Sequence, residues 1–583
     1  MSKESKEVYV HGIGVSPGIA LGPLAFRAWG FDEPTAEAIS REQVESEWER
    51  LEQALAATKE DLREIQARLA AEAGDYNAGI FEAHILMLED RSVLAEVRAA
   101  LEEKLIGIES VYHQVLDRYA ASLGQIDDPY LRERTSDVRD VARRVIMKLA
   151  GTAAAEHPTE PHVLIAHDLT PSDTATMDAK KVLGFATEAG SPTSHTAIVA
   201  RSLGIPAVVA LHRIPPAARW GHTVLLDGYS GELIFNPSPE TLEKYDQIRA
   251  EKAEADLKLT AIRDDESRTE DGRRITLSAN IEFYHEMALV SKNGGEGVGL
   301  YRTEFFYLDD GRLPTEDEQA ANYARVAHEC GDDGVIIRTF DLGGDKVHGS
   351  LAEPEPNPSL GWRGIRVSLA ERDVFKTQLR AILRASASGR VRLMYPMVSS
   401  LEEVLQANAI LEDCKRELDS EDVEFDSDIE VGVMIEVPSA AAIASQLAQE
   451  VSFFSFGTND LVQYTLAVDR VNERVSNLYQ PCHPAVLRFM KMSVDAAREN
   501  GIWCGVCGEM AGDVAMTPLL VGLGVEELSV AASILPRIKF ALRRLDSKKC
   551  EDLAAKALQL GQASEIQSLT VALARECYPE LFA

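Results

Sequence analysis

Hydrophobic positions along the chain keep several different rhythms, and each predicts its own architecture. Residues 8–27 alternate short apolar runs with Gly and Pro, which reads as β-strands too short to stand alone. They are expected to join a sheet formed later in the chain. From about residue 34 to 149, Gly and Pro nearly vanish and apolar residues recur at helical spacing. Leu51 and Leu55 open one long helix, Ile80, Phe81, His84, Ile85 and Leu88 mark another, and two more run over 108–122 and 130–149. Together they predict a helical bundle. Strand texture returns at 163–166, 182–187, 223–228 and 233–235, and a charged helix follows over 240–264.

Beyond residue 265, eight apolar runs alternate with helical stretches: 275–280, 297–301, 335–339, 391–396, 430–436, 453–457, 503–507 and 527–530. Eight buried strands alternating with helices predict a (β/α)8 TIM-type barrel, with functional residues at the C-terminal ends of the strands. The expected fold is α/β multidomain. Residues 1–30 and 150–238 form an α/β domain, 31–149 its inserted helical bundle, 239–265 a linker helix, and 266–583 the C-terminal barrel. A length of 583 residues accommodates these parts.

Charge narrows the partners. The 94 acidic residues against 60 basic ones give a net charge of −34, which argues against nucleic acid or an anionic membrane and suits a basic protein partner. No apolar run approaches the roughly 20 residues of a membrane span, and the first residues do not resemble a signal peptide. Seven scattered cysteines fit a reducing compartment rather than a disulfide framework, so a cytoplasmic location is expected.

Candidate chemistry falls in two places. His195 stands where a helix is predicted to begin, among the hydroxyls of Thr193, Ser194 and Thr196. Unpaired N–H groups and the positive helix end favour an anion there, so the imidazole could accept a phosphoryl group; a plain capping role is the alternative. In the barrel, the strand ends carry Arg302 and Glu304, then Arg338, Asp341 and Lys346, then Glu436, Asn459 and Asp460, and finally Cys507 and Glu509. Arginine forks grip carboxylate and phosphate oxygens, while Glu436 and Asp460 offer hard oxygen ligands to Mg²⁺. Cys504 and Cys507 have the spacing of a metal motif, but on a strand they face opposite ways. Cys507 could instead protonate a carbanion or enolate.

Several stretches resemble a known family. Thr-Ser-His-x-x-Ile-x-Ala-Arg followed by Gly-Ile-Pro-Ala (193–207) resembles the phosphohistidine segment of phosphoenolpyruvate-utilising enzymes. Gly-Val-Gly-Leu-Tyr-Arg-Thr-Glu-Phe (297–305), Arg-Thr-x-Asp-x-Gly-Gly-Asp-Lys (338–346) and Asn-Pro-x-Leu-Gly-Trp-Arg-x-Ile-Arg (357–366) are similar to Enzyme I of the sugar phosphotransferase system. So are Gly-Thr-Asn-Asp-Leu-x-Gln-Tyr-Thr-Leu-Ala-Val-Asp-Arg (457–470) and Cys-Gly-Glu-x-Ala-Gly-Asp (507–513). The ATP-using dikinase and synthase of the same group need a nucleotide domain for which no Gly-rich loop is visible here.

The resemblance implies a swivelling phosphohistidine domain and a barrel that binds phosphoenolpyruvate with Mg²⁺ on Glu436 and Asp460. Arg302, Arg338, Asn459 and Arg470 would hold phosphate and carboxylate, with Lys346 and Arg363 close to the same oxygens. His195 would attack phosphorus, Thr170 would orient its ring, and Cys507 would protonate the departing enolate of pyruvate. The bundle, through His84 and Arg134, would dock the carrier protein HPr, and the barrel would form a homodimer. Two departures stand out: Ser191-Pro192 precedes the active turn, and Arg91-Ser92 and Asp75-Tyr76 stand at bundle positions that differ from the family pattern. A regulatory relative that senses phosphoenolpyruvate outside sugar uptake is the alternative function.

Overall fold

In the computed structural model the described residues are 7–27, 36–73, 84, 85, 87–124, 129–150, 160–167, 169, 181–188, 190, 200, 205–211, 223–304, 313–341, 357–470, 472 and 474–582. The chain divides into two compact units, Met1–Glu251 and Lys252–Ala583.

The first unit holds an eight-stranded sheet. Its strands are β1 (Val8–His11), β2 (Ile13–Ser16), β3 (Ile19–Arg27), β4 (His162–Ala166), β5 (Val182–Thr187), β6 (Ala207–Val209), β7 (Thr223–Asp227) and β8 (Glu232–Phe235). They lie in the order β1-β8-β7-β3-β4-β5-β6-β2. The early strands do join a later sheet: β1 pairs with β8, β2 with β6, and β3 lies between β7 and β4. Strands β3 to β6 run parallel. In β4, Val163 and Ile165 enter one buried cluster while Leu164 and Ala166 enter another, as a strand covered on both faces requires.

Between β3 and β4 the chain forms helices α1 (Val44–Ala73), α2 (Arg91–Lys104), α3 (Ile108–Gly124) and α4 (Pro129–Leu149), closed around Leu51, Leu101, Val111 and Val145. Helix α2 was not anticipated. Its signal is Asp90, whose carboxylate accepts the N–H groups of Ser92 and Val93 and so starts the helix. The unexpected Arg91-Ser92 pair is therefore the first turn of this helix.

Helix α5 (Pro239–Ala261) corresponds to the predicted charged helix. Within the first unit, Leu242, Tyr245 and Ile248 of α5 pack on Leu225 and Ile234 of the sheet.

The second unit is a closed parallel barrel of β9 (Thr276–Ile281), β10 (Val298–Arg302), β11 (Val335–Arg338), β12 (Val391–Tyr395), β13 (Glu430–Ile435), β14 (Phe453–Phe456), β15 (Trp503–Val506) and β16 (Glu527–Ala531). Each of the eight predicted runs supplies one strand. The largest core fills the layer between strands and outer helices, and a smaller cluster of Leu300, Ile336, Met394, Met434, Phe453 and Cys507 fills the lumen. Among the described residues no helix is long and apolar enough to cross a membrane. All seven cysteines are unbridged.

Candidate active site

The C-terminal ends of the barrel strands deliver charge to one mouth. Arg302 closes β10 and donates from Nη1 to Glu282, which follows β9, at 2.8 Å. Burial raises the Glu282 carboxyl, and the Arg302 charge works against that shift. Arg338 closes β11 and is almost wholly buried. Its Nη2 donates to Glu304, and its Nη1 lies 3.3 Å from Asp341 Oδ2.

Arg363 ties three loops together. Its Nε and Nη2 donate to the two oxygens of Asp341 at 3.1 and 2.6 Å, its Nη2 reaches Asp460 at 3.2 Å, and its Nη1 reaches the Tyr464 hydroxyl at 3.1 Å. The guanidinium is thus engaged by two acids and a phenol, and it braces Asp460 rather than standing free at the mouth. Glu436 follows β13 and accepts the Met397 N–H at 2.6 Å. Burial, and then the negative charges of Asp460 and Asp341, push its carboxyl up to about 8.

Across the mouth the arrangement is looser. The Asn459 amide donates to Glu509 at 3.1 Å, and the Glu509 N–H returns a bond to Asn459 Oδ1 at 2.9 Å. Arg470 Nη1 lies 3.9 Å from the same Glu509 carboxylate. Cys507, just past β15, is buried, with Sγ 3.6 Å from the Phe456 carbonyl. Burial pushes its thiol up to about 11, so at neutral pH it carries a proton. Cys504 lies in the outer core and Cys507 in the lumen, so their sulfurs face opposite sides of the strand.

The barrel thus brings together Arg338, Arg363, Glu436 and Asp460, with Arg302 beside them and Asn459 and Arg470 joined through Glu509. Lys346, His195, Thr170 and Ser191-Pro192 lie outside the described residues, as do Asp75-Tyr76 and the side chain of Arg134. His84 is fully buried in the bundle. At the mouth, Glu304 and Asp341 are buried as well, and each pairs with an arginine.

A divalent cation suits this donor set. Glu436 is crowded by like charge, which a dication would relieve. Among the described residues no group of three or more His, Cys, Asp or Glu side chains is arranged to hold a metal. Two carboxylates completed by substrate and water oxygens is the coordination Mg²⁺ favours.

Three family models match the chain. They are PEP-utilising enzyme, N-terminal over residues 11–134, PEP-utilising enzyme, mobile domain over 158–231, and PEP-utilising enzyme, PEP-binding domain over 257–547. Phosphoenolpyruvate-utilising enzymes are also the class that the barrel and its charged mouth define. Phosphoenolpyruvate-protein phosphotransferase of Geobacillus stearothermophilus is 41% identical over 573 residues, covering 97% of this chain and 98% of that one. The Priestia megaterium protein of that name is 42% identical over 560 residues, covering 96% and 97%, and the Haemophilus influenzae one 40% over 563 residues, covering 96% and 98%. The chain belongs to the phosphoenolpyruvate-protein phosphotransferase family.

Proposed function

We propose that this protein transfers the phosphoryl group of phosphoenolpyruvate to His195 and then to a histidine of the carrier protein HPr, releasing pyruvate. The observation that carries this reading is the mouth of the barrel, where Arg338, Glu304, Asp341, Arg363, Asp460 and Glu436 form one charged network beside a protonated Cys507. The names of the relatives agree with it.

Arg302, Arg338, Asn459 and Arg470 bind the phosphate and carboxylate of the substrate, with Lys346 at the same anion and Arg363 holding Asp460 in place. Glu436 and Asp460 would hold Mg²⁺, which would supply positive charge to stabilise the developing negative charge of the reaction. A ring nitrogen of His195, oriented by Thr170, forms the bond to phosphorus while the bond from phosphorus to the enolate oxygen breaks. Cys507 Sγ gives its proton to the methylene carbon of the enolate, and the thiolate regains one from solvent. The helical bundle receives HPr, with Arg134 among its docking residues. The protein works in the cytoplasm as a homodimer formed through the barrel.

The decisive experiment incubates the full chain with Mg²⁺ and phosphoenolpyruvate labelled in the phosphate. Acid-labile, base-stable label is expected, and it should disappear in His195→Ala. Label that persists in that variant would overturn the assignment.

A further inference from the structure

Behind the mouth, one buried amide touches both strands that carry the substrate arginines. Gln378 lies on the helix Arg372–Ala385 and is fully buried. Its carbonyl accepts the Phe340 N–H at 2.9 Å, which fixes the amide so that its NH₂ faces two hydroxyls. That NH₂ donates to Thr303 Oγ1 at 3.0 Å and to the Tyr323 hydroxyl at 3.3 Å. Thr303 Oγ1 passes its own proton to the Arg338 carbonyl at 2.8 Å. Gln378 therefore binds the residue directly after Arg302 and the segment between Arg338 and Asp341.

The backbone leaves this tie a task. The β10–β11 pairing has a register irregularity between Val298 and Tyr301, and its last paired residues are Arg302 and Arg338 themselves. Beyond that pair, the bonds from Gln378 and Thr303 join the two strand ends. We propose that Gln378 is a positioning residue for the phosphoenolpyruvate site, setting the spacing of Arg302 and Arg338 by binding Thr303 and Phe340. The inference rests on the functional reading above, in which those two arginines grip the substrate.

Arginines that hold the phosphate and carboxylate act on bound substrate and transition state alike, so misplacing them weakens binding more than turnover. Gln378→Met keeps the size and removes every hydrogen bond. It should raise KM for phosphoenolpyruvate roughly tenfold and change kcat less than about threefold. Gln378→Glu keeps the acceptor for Phe340 N–H and should fall between wild type and Gln378→Met. Tyr323→Phe removes the third partner of the amide, together with the Tyr323 bond to Gln319, but leaves the Gln378 bonds to Phe340 and Thr303 and the packing of the ring on Tyr301 in place. It should lower the melting temperature while leaving KM within about twofold of wild type.

An unchanged KM in folded Gln378→Met, with wild type active, overturns the role of Gln378 alone. So does a KM in Tyr323→Phe raised as far as in Gln378→Met, because general loosening would then suffice. If Gln378→Met does not fold, Gln378→Glu decides by the same measure. Wild-type protein that takes no phosphate from phosphoenolpyruvate overturns the functional reading, and the positioning role with it.

Discussion

The two ends of the barrel both bury charge, and they do so in opposite ways. At the N-terminal ends of the strands, Glu430 accepts hydrogen bonds from Arg390 at 2.8 Å and from Arg392 and Trp503 at 3.4 Å each. Burial alone would raise its carboxyl, yet the two arginines and the indole hold it low. Trp503 stacks on Phe453 with centroids 4.6 Å apart, and the Arg392 guanidinium lies over the Trp503 ring, 5.7 Å from its centroid. Every group there has a partner of matching character. At the C-terminal ends, Glu436 faces Asp460 and Asp341 and is pushed up instead. A carboxyl crowded by like charge at a barrel mouth marks a functional site, while neutralised pairs at the base serve stability.

Removing Arg338 should separate the two ends most sharply. Arg338→Met leaves Glu304 and Asp341 buried without that guanidinium, and breaking such a pair costs about 3–5 kcal/mol. The barrel should melt at a markedly lower temperature, and the labelling of His195 from phosphoenolpyruvate should be lost. A variant that keeps both stability and labelling would break the distinction, because the mouth would then need neither its charge balance nor its grip. The matching change at the base is Trp503→Leu, which removes the stacked ring and the hydrogen bond to Glu430. It should cost roughly 2–4 kcal/mol by differential melting, yet leave KM for phosphoenolpyruvate near the wild-type value. A raised KM would mean that the two ends are coupled through the lumen.

The same contrast explains what was legible in the sequence. Parallel strands covered on both faces give unbroken apolar runs, so the barrel strands stood out, and strand alternation separated Cys504 from Cys507. The order of the first sheet was not legible. Val8 pairs with Phe235 across the whole inserted bundle, and nothing local in either strand names its partner. At the mouth, the position of Arg302, Arg338, Glu436, Asp460 and Cys507 at strand ends could be read directly. Which groups pair could not, because Arg363, Asp341 and Asp460 come from separate loops and meet only when the barrel closes. Gln378 gave no signal at all, since a single polar residue on an amphipathic helix looks like surface until the fold buries it.

The smallest expected effect sharpens the comparison by testing one acid at the base that lacks a close arginine bond. Glu527 is buried at the start of β16 and accepts a hydrogen bond from Ser278 Oγ. Its surroundings leave little room: a Cβ on Gly505 would come within 3.0 Å of Glu527 Oε2, and one on Gly299 within 2.9 Å of Oε1. Burial raises its carboxyl, with Ser278 and the charge of Arg392 opposing. A folded-state value above the unfolded 4.5 means the native state holds a proton that the unfolded chain has released. The stability that Glu527 contributes is therefore complete below that value and declines as pH rises through the folded-state value. Gln378 has no such titration, and neither would an amide at residue 527. Glu527→Gln should therefore gain on wild type as pH rises, with no change in KM for phosphoenolpyruvate. Melting curves of both proteins from pH 5 to 8 read this difference. A constant gap between them would show that Glu527 ionises as it does in the unfolded chain, and that the base, unlike the mouth, does not shift a buried carboxyl.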